Sequence, residues 1–245
     1  MLLRSTFFCF AIFANMKIHF ILVEPAVPEN VGAAARAIKT MGFDSLCLVN
    51  PCEFSEGRAK WVAHASGEIL DNAEVFSSLE EALKDMDFVV ASSAKPRSIK
   101  GDHHPAEKLP ELLRQKTSSV NSVAIVFGRE ESGLTNSEIE LCHITTFIPM
   151  ATLYPSLNLG QAVMVYAYVL SKLNFGNESP GGESKVVEPK FNAMINQTAA
   201  FLKETKIGRN PNIYKRIFER LSLLGDNDIN LLMSVLSAID KRKEQ

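Results

Sequence analysis

Five short apolar segments, separated by stretches of helical character, constrain the fold of this 245-residue chain most strongly. Each is uninterrupted and rich in β-branched or aromatic residues, which is typical of strands buried on both faces. The segments lie at residues 18–23, 45–49, 88–92, 123–127 and 145–148. Strands that alternate with helices predict an α/β domain with a mainly parallel sheet and helices on both faces.

Helical patterns fill the spaces between these strands. Gly42 should end the first helix as a C-cap glycine. Thr135 and Glu138 have the capping-box spacing that marks the start of another helix. The predicted helices lie near residues 30–42, 54–64, 79–84, 109–114, 136–142 and 158–173.

A polar segment rich in glycine, serine and proline, residues 174–189, follows the last of these helices. Its composition is that of a flexible connection. We therefore expect a domain at residues 16–173, a linker at 174–189 and a small helical extension at 190–245. Three helical patterns make up the extension, near residues 190–206, 211–224 and 227–241, and the second carries Ile213, Ile217, Leu221 and Leu224 at helical spacing.

The first fifteen residues carry one arginine before a short apolar run and so imitate a signal peptide weakly. Met16 and Lys17 lead directly into the first strand, as the first residues after a natural translation start would. We therefore expect residues 1–15 to be a start-site artefact or a disordered N-terminus. No later stretch has the ~18 uninterrupted apolar residues of a transmembrane helix, and we expect a cytoplasmic protein without a membrane partner.

The cysteine content and the charge distribution limit the kinds of metal site and binding partner that we expect. The four cysteines, Cys9, Cys47, Cys52 and Cys142, form no C-x-x-C pair, so reduced thiols and no zinc site are expected. The net charge is −2, but residues 184–245 hold 11 Lys and Arg against 7 Asp and Glu. This excess suggests that the C-terminal part meets an anionic partner, although a solvated helical surface would give the same count.

The first candidate loop, EPAVPENVGAAARA, follows the first strand. Pro25 and Pro28 stiffen it, and Asn30 can cap the following helix. Gly32 and three alanines leave the first turn bare, so that a ligand can approach the backbone. Arg36 projects from the same helix beyond Asn30. Helix packing would explain the same small residues. The G-x-G-x-x-G dinucleotide fingerprint is absent from this loop.

The second candidate loop, FGREESGLTNSEIELC, follows the strand at 123–127 immediately. The carboxyl end of a buried parallel strand is where open α/β sheets bind ligands. A ligand site is therefore one interpretation, and a plain surface turn is the other. Between Gly128 and Gly133 stand four charged or polar residues, Arg129, Glu130, Glu131 and Ser132.

The third candidate loop, IPMATLYPSLNLGQAV, follows the last strand. Ser156 and Asn158 place polar side chains where the next helix begins. Helix starts bind anions and orient polar ligands through their free N–H groups. For Ser156 an ordinary N-cap role is an equal alternative.

The three loops carry the motifs N-x-G-A-x-x-R at 30–36, F-G-R-E-x-x-G-L at 127–134 and S-L-N-L at 156–159. Together these motifs resemble the three signature motifs of the SpoU RNA methyltransferases of the SPOUT superfamily. The resemblance covers about residues 18–173. It implies a deep trefoil knot near the end of the α/β domain, a rare exception to unknotted topology. It also implies transfer of a methyl group from S-adenosylmethionine to a ribose 2′-oxygen, with S-adenosylhomocysteine as product and without a metal.

A narrower resemblance extends into the C-terminal helices. The segments SSAKPR at 92–97, GRNPNIYKRIFERL at 208–221 and LLMSVLSAID at 231–240 are similar to tRNA methyltransferases that modify nucleotide 32 of the anticodon loop. This implies a tRNA substrate and a homodimer with active sites at its interface. It also assigns RNA binding to the basic tail, through phosphate contacts and one stacking ring, from Arg209, Lys215, Arg216, Arg220 and Tyr214. Individual members of that set could equally be ordinary solvated helix residues.

The resemblance assigns the methyl donor to loops at four positions of the domain. Adenine recognition there should rest on backbone groups and on an apolar wall from Leu153, Ile148 and Leu157. Pro155 stands where a small polar residue is common, which affects a side-chain contact but not a backbone one. The implied cofactor-binding residues are Ser92, Ser93, Ala94, Gly128, Ile148, Pro155, Ser156 and Leu157.

Arg36 matches the arginine to which the family assigns the 2′-hydroxyl proton. A guanidinium is normally a permanent donor. Arg36 could instead hold the adjacent phosphate and stabilise the developing alkoxide, while phosphate or water takes the proton. The residues expected to orient the ribose and order the loops are Asn30, Glu130, Ser156 and Asn158. Glu130 could also act structurally, by pairing with Arg129 or Arg36.

Three other functions compete with this interpretation. A methyltransferase that acts on ribosomal RNA would keep the chemistry and change the substrate. A non-catalytic RNA-binding knot protein would keep the fold alone, although Asn30, Arg36, Glu130 and Asn158 are all present. A nicotinamide-dependent enzyme is disfavoured because its glycine fingerprint is missing.

Overall fold

The computed structural model describes residues 16–94, 103–152, 157–173 and 190–243. Contacts divide the chain into two compact units. Among the described residues, the first unit comprises 17–110 and 122–173, and the second comprises 111–121 and 190–243. Within these ranges no helix is long and apolar enough to cross a membrane.

The first unit is built on a seven-stranded sheet in the order β3-β2-β1-β6-β4-β7-β5. All neighbouring strands in it run parallel. The strands are β1 (Lys17–Val23), β2 (Ser45–Val49), β3 (Glu74–Phe76), β4 (Phe88–Ser92), β5 (His103–Pro105), β6 (Ser122–Phe127) and β7 (Ile144–Phe147). The five predicted strands and the mainly parallel sheet are confirmed. The three-residue edge strands β3 and β5 were not predicted.

Helices cover both faces of this sheet, as the sequence predicted. Ile21 of β1 lies in a buried cluster with Leu79 and Ile139, which belong to two helices on one face. On the other face, Phe127 of β6 packs edge-on against Tyr166, with ring centroids 5.3 Å apart. The helices that begin in this unit are α1 (Pro28–Thr40), α2 (Arg58–Ala63), α3 (Gly67–Asp71), α4 (Leu79–Leu83), α5 (Leu109–Arg114), α6 (Asn136–Glu140) and α7 (Leu159–Ser171).

Two predicted helix boundaries are confirmed by their local geometry. Gly42 follows α1 with φ +81°, the left-handed conformation that favours glycine, and its N–H donates to the Lys39 carbonyl at 3.0 Å. Thr135 and Glu138 form the predicted capping box at the start of α6. These caps satisfy backbone groups that a helix end leaves unpaired.

The second unit contains α8 (Lys190–Lys203), α9 (Pro211–Leu221) and α10 (Asp226–Lys243), together with residues 111–121. Lys116 is fully buried, donates to the Leu224 carbonyl and lies 4.9 Å from the ring centroid of Phe191. The Asp226 carboxylate accepts from the Ser118 N–H at 2.8 Å. Residues 111–121 therefore hold the C-terminal helices through polar contacts, although their sequence lies between two strands of the sheet.

Candidate functional site

Four adjacent strands end at one edge of the sheet. In the order β1, β6, β4 and β7 they are hydrogen-bonded neighbours that run parallel, so the segments after Val23, Phe127, Ser92 and Phe147 leave at the same edge. The chain passes from β1 towards β2 on one side and from β4 towards β5 on the other. Open α/β sheets bind ligands at such a reversal. All three candidate loops begin here.

The carboxylate of Glu130 lies at the centre of this edge. It accepts hydrogen bonds from the Ala26 N–H at 3.1 Å, the Val27 N–H at 3.3 Å and Asn30 Nδ2 at 3.0 Å. Partial burial acts to raise the pKa of Glu130, but these hydrogen bonds outweigh it and leave the pKa below its ordinary value. Among the described residues, Glu130 bonds to these groups and to neither Arg129 nor Arg36, which the sequence had suggested as its partners.

Asn30 is not the cap that the sequence predicted. Helix α1 begins at Pro28 with Val27 as its N-cap, so Asn30 is the third helical residue. Its side chain is nearly buried, with 7% exposed, and turns towards Glu130 instead of its own helix start. A tertiary contact therefore overrides the local capping preference of asparagine.

Asn158 begins α7 as the N-cap of a complete capping box with Gln161. Its Oδ1 accepts from the Gly160 N–H at 2.8 Å, and its Nδ2 donates to Asn30 Oδ1 at 2.6 Å. The alternative N-cap role of Ser156 is therefore wrong for this helix, and Ser156 itself lies outside the described residues. One hydrogen-bonded chain, from Asn158 through Asn30 to Glu130, connects all three candidate loops.

Arg129 anchors the second loop to its neighbours. Its Nε donates to Glu24 Oε2 at 2.8 Å, and its two terminal nitrogens donate to the two oxygens of Glu138, both at 3.0 Å. The hydrogen bond from Arg129 holds the pKa of Glu24 below its ordinary value. Glu24, which the sequence analysis missed, also has φ +46°, a strained conformation outside glycine. Its position directly after β1, beside the strand that precedes Arg129, was the available signal.

Two glycines allow the tight turn of the second loop. A Cβ on Gly128 would lie 2.1 Å from the carbonyl carbon of Gly133 and 2.2 Å from the nitrogen of Leu134. Gly133 has φ +67°, and its N–H donates to the Arg129 carbonyl at 2.9 Å. The turn requires both glycines, and it aims Glu130 at the first loop.

Arg36 lies on an exposed ridge of α1 between two packed helices. On one side Gly32 approaches α2 so closely that a Cβ would lie 2.1 Å from the Ala59 carbonyl oxygen. On the other side Ala33 packs on Gly160 of α7. Within the described ranges, no hydrogen bond or ion pair involves the Arg36 side chain. Its guanidinium is thus available to an anionic ligand.

The implied cofactor-binding residues follow strand ends at this same edge. Ser92 ends β4 and Ser93 and Ala94 follow it, Gly128 follows β6, Ile148 follows β7, and Leu157 precedes α7. Ser92, Ser93, Gly128, Ile148 and Leu157 are half-buried. Small side chains beside partly exposed apolar ones fit an adenosine group, which needs space for a flat base and contact with backbone groups. Leu153, Pro155 and Ser156 lie outside the described residues.

The candidate RNA-binding residues belong to the second unit. Arg209 is exposed in the turn before α9, which contains the other four. Arg216 donates to Glu219 at 3.0 Å, and the Tyr214 ring lies 4.7 Å from the Phe218 ring, so each already has an intramolecular partner. Ile213, expected on an apolar helical stripe, is 47% exposed.

A parallel sheet whose loops are joined at one edge by a carboxylate and two amides, with an exposed arginine on the helix that follows the first loop, defines an α/β protein with an enzyme-like ligand site. The profile of the SpoU rRNA Methylase family matches residues 17–168. The chain belongs to this family, and it is accordingly a methyltransferase.

Relatives of similar length support this membership. The chain is 41% identical to the "Uncharacterized tRNA/rRNA methyltransferase LasT" of Escherichia coli K12, over 92% of this chain and 98% of the relative. It is 32% identical to the "tRNA (cytidine/uridine-2'-O-)-methyltransferase TrmJ" of Pectobacterium atrosepticum, over 94% and 99%. The solved structure of a probable methylase family protein from Haemophilus influenzae superposes with a TM-score of 0.64 at 30% identity, covering 94% of this chain and 98% of that one.

Proposed function

We propose that this protein transfers a methyl group from S-adenosylmethionine to a ribose 2′-oxygen in the anticodon loop of tRNA, at nucleotide 32. The observation that carries the proposal is the chain Asn158–Asn30–Glu130, which joins the three signature loops. The exposed Arg36 lies on the same helix as Asn30. A TrmJ relative, 32% identical, is named for ribose methylation of tRNA cytidine or uridine. The choice of nucleotide 32 rests on the sequence resemblance.

S-adenosylmethionine would supply an electrophilic methyl group on a sulfonium, which is already a good leaving group, so no metal is needed. Ser92, Ser93, Ala94, Gly128, Ile148 and Leu157 would hold it, with Pro155 and Ser156 completing the site. Backbone groups at the ends of β4, β6 and β7 would bond the adenine, and Ile148 and Leu157 would exclude water from its faces. S-adenosylhomocysteine would be the product.

Arg36 would hold the phosphate next to the reacting ribose and stabilise negative charge on its 2′-oxygen. Its exposure and its lack of a partner within the described ranges support this role over a structural one. Asn30, Asn158 and Ser156 would orient the ribose, because reaction requires the 2′-oxygen in line with the methyl group. Glu130 would act indirectly, by fixing the start of α1 and the amide of Asn30.

The remaining parts of the proposal concern assembly and substrate. Arg209, Tyr214, Lys215, Arg216 and Arg220 would contact the tRNA, and affinity should then fall steeply with salt. The resemblance favours a homodimer, a trefoil knot near the end of the α/β domain, and a cytoplasmic location. The helices at 190–243 would serve as the RNA-binding extension.

The test is transfer of labelled methyl from S-adenosylmethionine to unmodified tRNA and to ribosomal RNA, with nuclease mapping and an Arg36→Ala control. Label on the anticodon-loop ribose of tRNA, lost in the control, would support the proposal. Label elsewhere in tRNA would contradict nucleotide 32 alone. Cofactor binding without transfer to either RNA would contradict both substrate assignments and point to another RNA or to a non-catalytic binding protein.

Ribosomal RNA is the second candidate substrate. A relative 41% identical to this chain is named as a tRNA/rRNA methyltransferase, so its name leaves both substrates open. Label on ribosomal RNA alone in the same experiment would establish this alternative and overturn the tRNA assignment.

A further inference from the structure

Tyr166 lies in a buried hydrogen-bond chain beneath two of the strand ends at the candidate site. Its side chain is fully buried on α7, and its hydroxyl is 2.7 Å from Thr146 Oγ1 of β7. Thr146 Oγ1 also donates to the Ala91 carbonyl of β4 at 3.1 Å. Ser92, the last residue of β4, directly follows Ala91. Tyr166 thus connects the ends of β4 and β7.

The direction of each hydrogen bond follows from the number of protons. A hydroxyl has one proton to donate, and Thr146 gives its proton to the Ala91 carbonyl. Tyr166 must therefore donate to Thr146. Burial raises the pKa of Tyr166, so that its hydroxyl remains a donor at neutral pH.

We propose that Tyr166 is a positioning residue of the methyl-donor site, which holds the ends of β4 and β7 in register through Thr146. This inference rests on the proposed use of S-adenosylmethionine. Ser92 is paired with Thr146 in the β4–β7 register, and the Ser93 N–H donates to the Thr146 carbonyl at 2.9 Å. Loss of the tyrosine hydroxyl therefore removes a side-chain hydrogen bond at the point where the backbone pairing of β4 with β7 ends.

Tyr166→Phe removes the hydroxyl and keeps the ring that packs on Phe127. The matched control is Tyr168→Phe, two residues along α7, because Tyr168 is 54% exposed. Tyr166→Phe should weaken S-adenosylmethionine binding about tenfold by calorimetry and raise its KM similarly. The KM of Tyr166→Phe for RNA should stay at the wild-type value. The melting temperature of the Tyr168→Phe control should also stay at the wild-type value.

A double variant separates positioning from a general loss of packing. If Tyr166 acts through Thr146, Tyr166→Phe in a Thr146→Val background should weaken S-adenosylmethionine binding no further than Thr146→Val alone. Additive losses would overturn the inference. Thr146→Val interrupts the same chain and should reproduce the cofactor effect if Tyr166→Phe folds poorly.

Two outcomes distinguish this inference from the proposed function. Wild-type protein that binds no S-adenosylmethionine would overturn both. Wild-type protein that binds and transfers methyl groups, together with a Tyr166→Phe variant of unchanged affinity, would overturn the positioning role and leave the proposed function standing.

Discussion

The side-chain amide of Asn158 donates to that of Asn30 at 2.6 Å, which joins the starts of two helices that are 128 positions apart in the chain. Each asparagine has a second partner: Asn158 caps α7, and Asn30 donates to Glu130. Because the first contact fixes which end of each amide faces the other, the second contact of each residue has a defined direction. These residues therefore fix the conformations of the three loops together, not one by one.

Asn158→Asp tests that coupling without removing the helix cap. Aspartate caps a helix about as well as asparagine, but it replaces the Nδ2 donor with an oxygen that faces Asn30 Oδ1. We expect methyl transfer to fall by roughly 10²-fold while the helix content, measured by circular dichroism, is unchanged. Unchanged transfer would show that the Asn158–Asn30 contact does not matter for catalysis.

A double-mutant cycle of Asn30→Ala and Asn158→Ala provides the second measurement. Residues in one hydrogen-bond network have non-additive effects. The double variant should therefore transfer methyl groups about as slowly as the slower single variant. Independent contributions, in which the two losses multiply, would contradict the existence of one functional chain.

The sequence predicted the central strands because their apolar runs need no knowledge of neighbours. It missed β3 and β5, since three-residue strands at the two edges of the sheet have too few residues to show a periodic pattern. It placed Asn30 at the site and misjudged its local role, because the contact with Glu130 bridges 100 positions of the chain. Local capping rules carry no information about such a partner.

Gly128→Ala should disrupt the second loop. The added Cβ would lie within 2.2 Å of backbone atoms in Gly133 and Leu134, and backbone atoms cannot move aside as the end of a flexible side chain can. We expect a loss of roughly 1–3 kcal/mol in unfolding free energy, measured by urea denaturation, and weaker cofactor binding. Gly67→Ala is the matched control, because its Cβ would meet nothing within 4 Å and its φ of −56° suits alanine. Equal stability of the two variants would contradict the close approach.

Lys116 should make stability depend on pH above neutrality. Burial lowers the pKa of this lysine from 10.5 to about 8. Between these pH values the folded state has lost the proton that the unfolded state still binds, so stability rises with pH in this window. Relative to Lys116→Met, the wild-type unfolding free energy should increase by up to roughly 3 kcal/mol from pH 7.5 to 10.5. A constant difference between the two proteins in urea denaturation would contradict the shift.

Arg36→Ala should separate activity from stability most clearly. Arg36 is exposed, and within the described ranges its side chain has no hydrogen bond or ion pair, so its removal should change the unfolding free energy by less than about 0.5 kcal/mol. Loss of a group that stabilises developing charge costs roughly 10²–10³ in kcat. The expected result is therefore a folded protein with severely reduced transfer, measured under saturating S-adenosylmethionine.

Arg36→Lys distinguishes charge from geometry at the same position. Lysine keeps one positive charge but loses the planar fork that contacts two oxygens of a phosphate at once. If Arg36 holds the phosphate beside the ribose, the lysine variant should remain well below wild-type kcat and show a raised KM for RNA. Full activity of Arg36→Lys would mean that a point charge suffices. Equal activity of Arg36→Ala and the wild type would remove Arg36 from the reaction altogether, because a side chain that contacts the reacting ribose cannot be deleted without a kinetic effect.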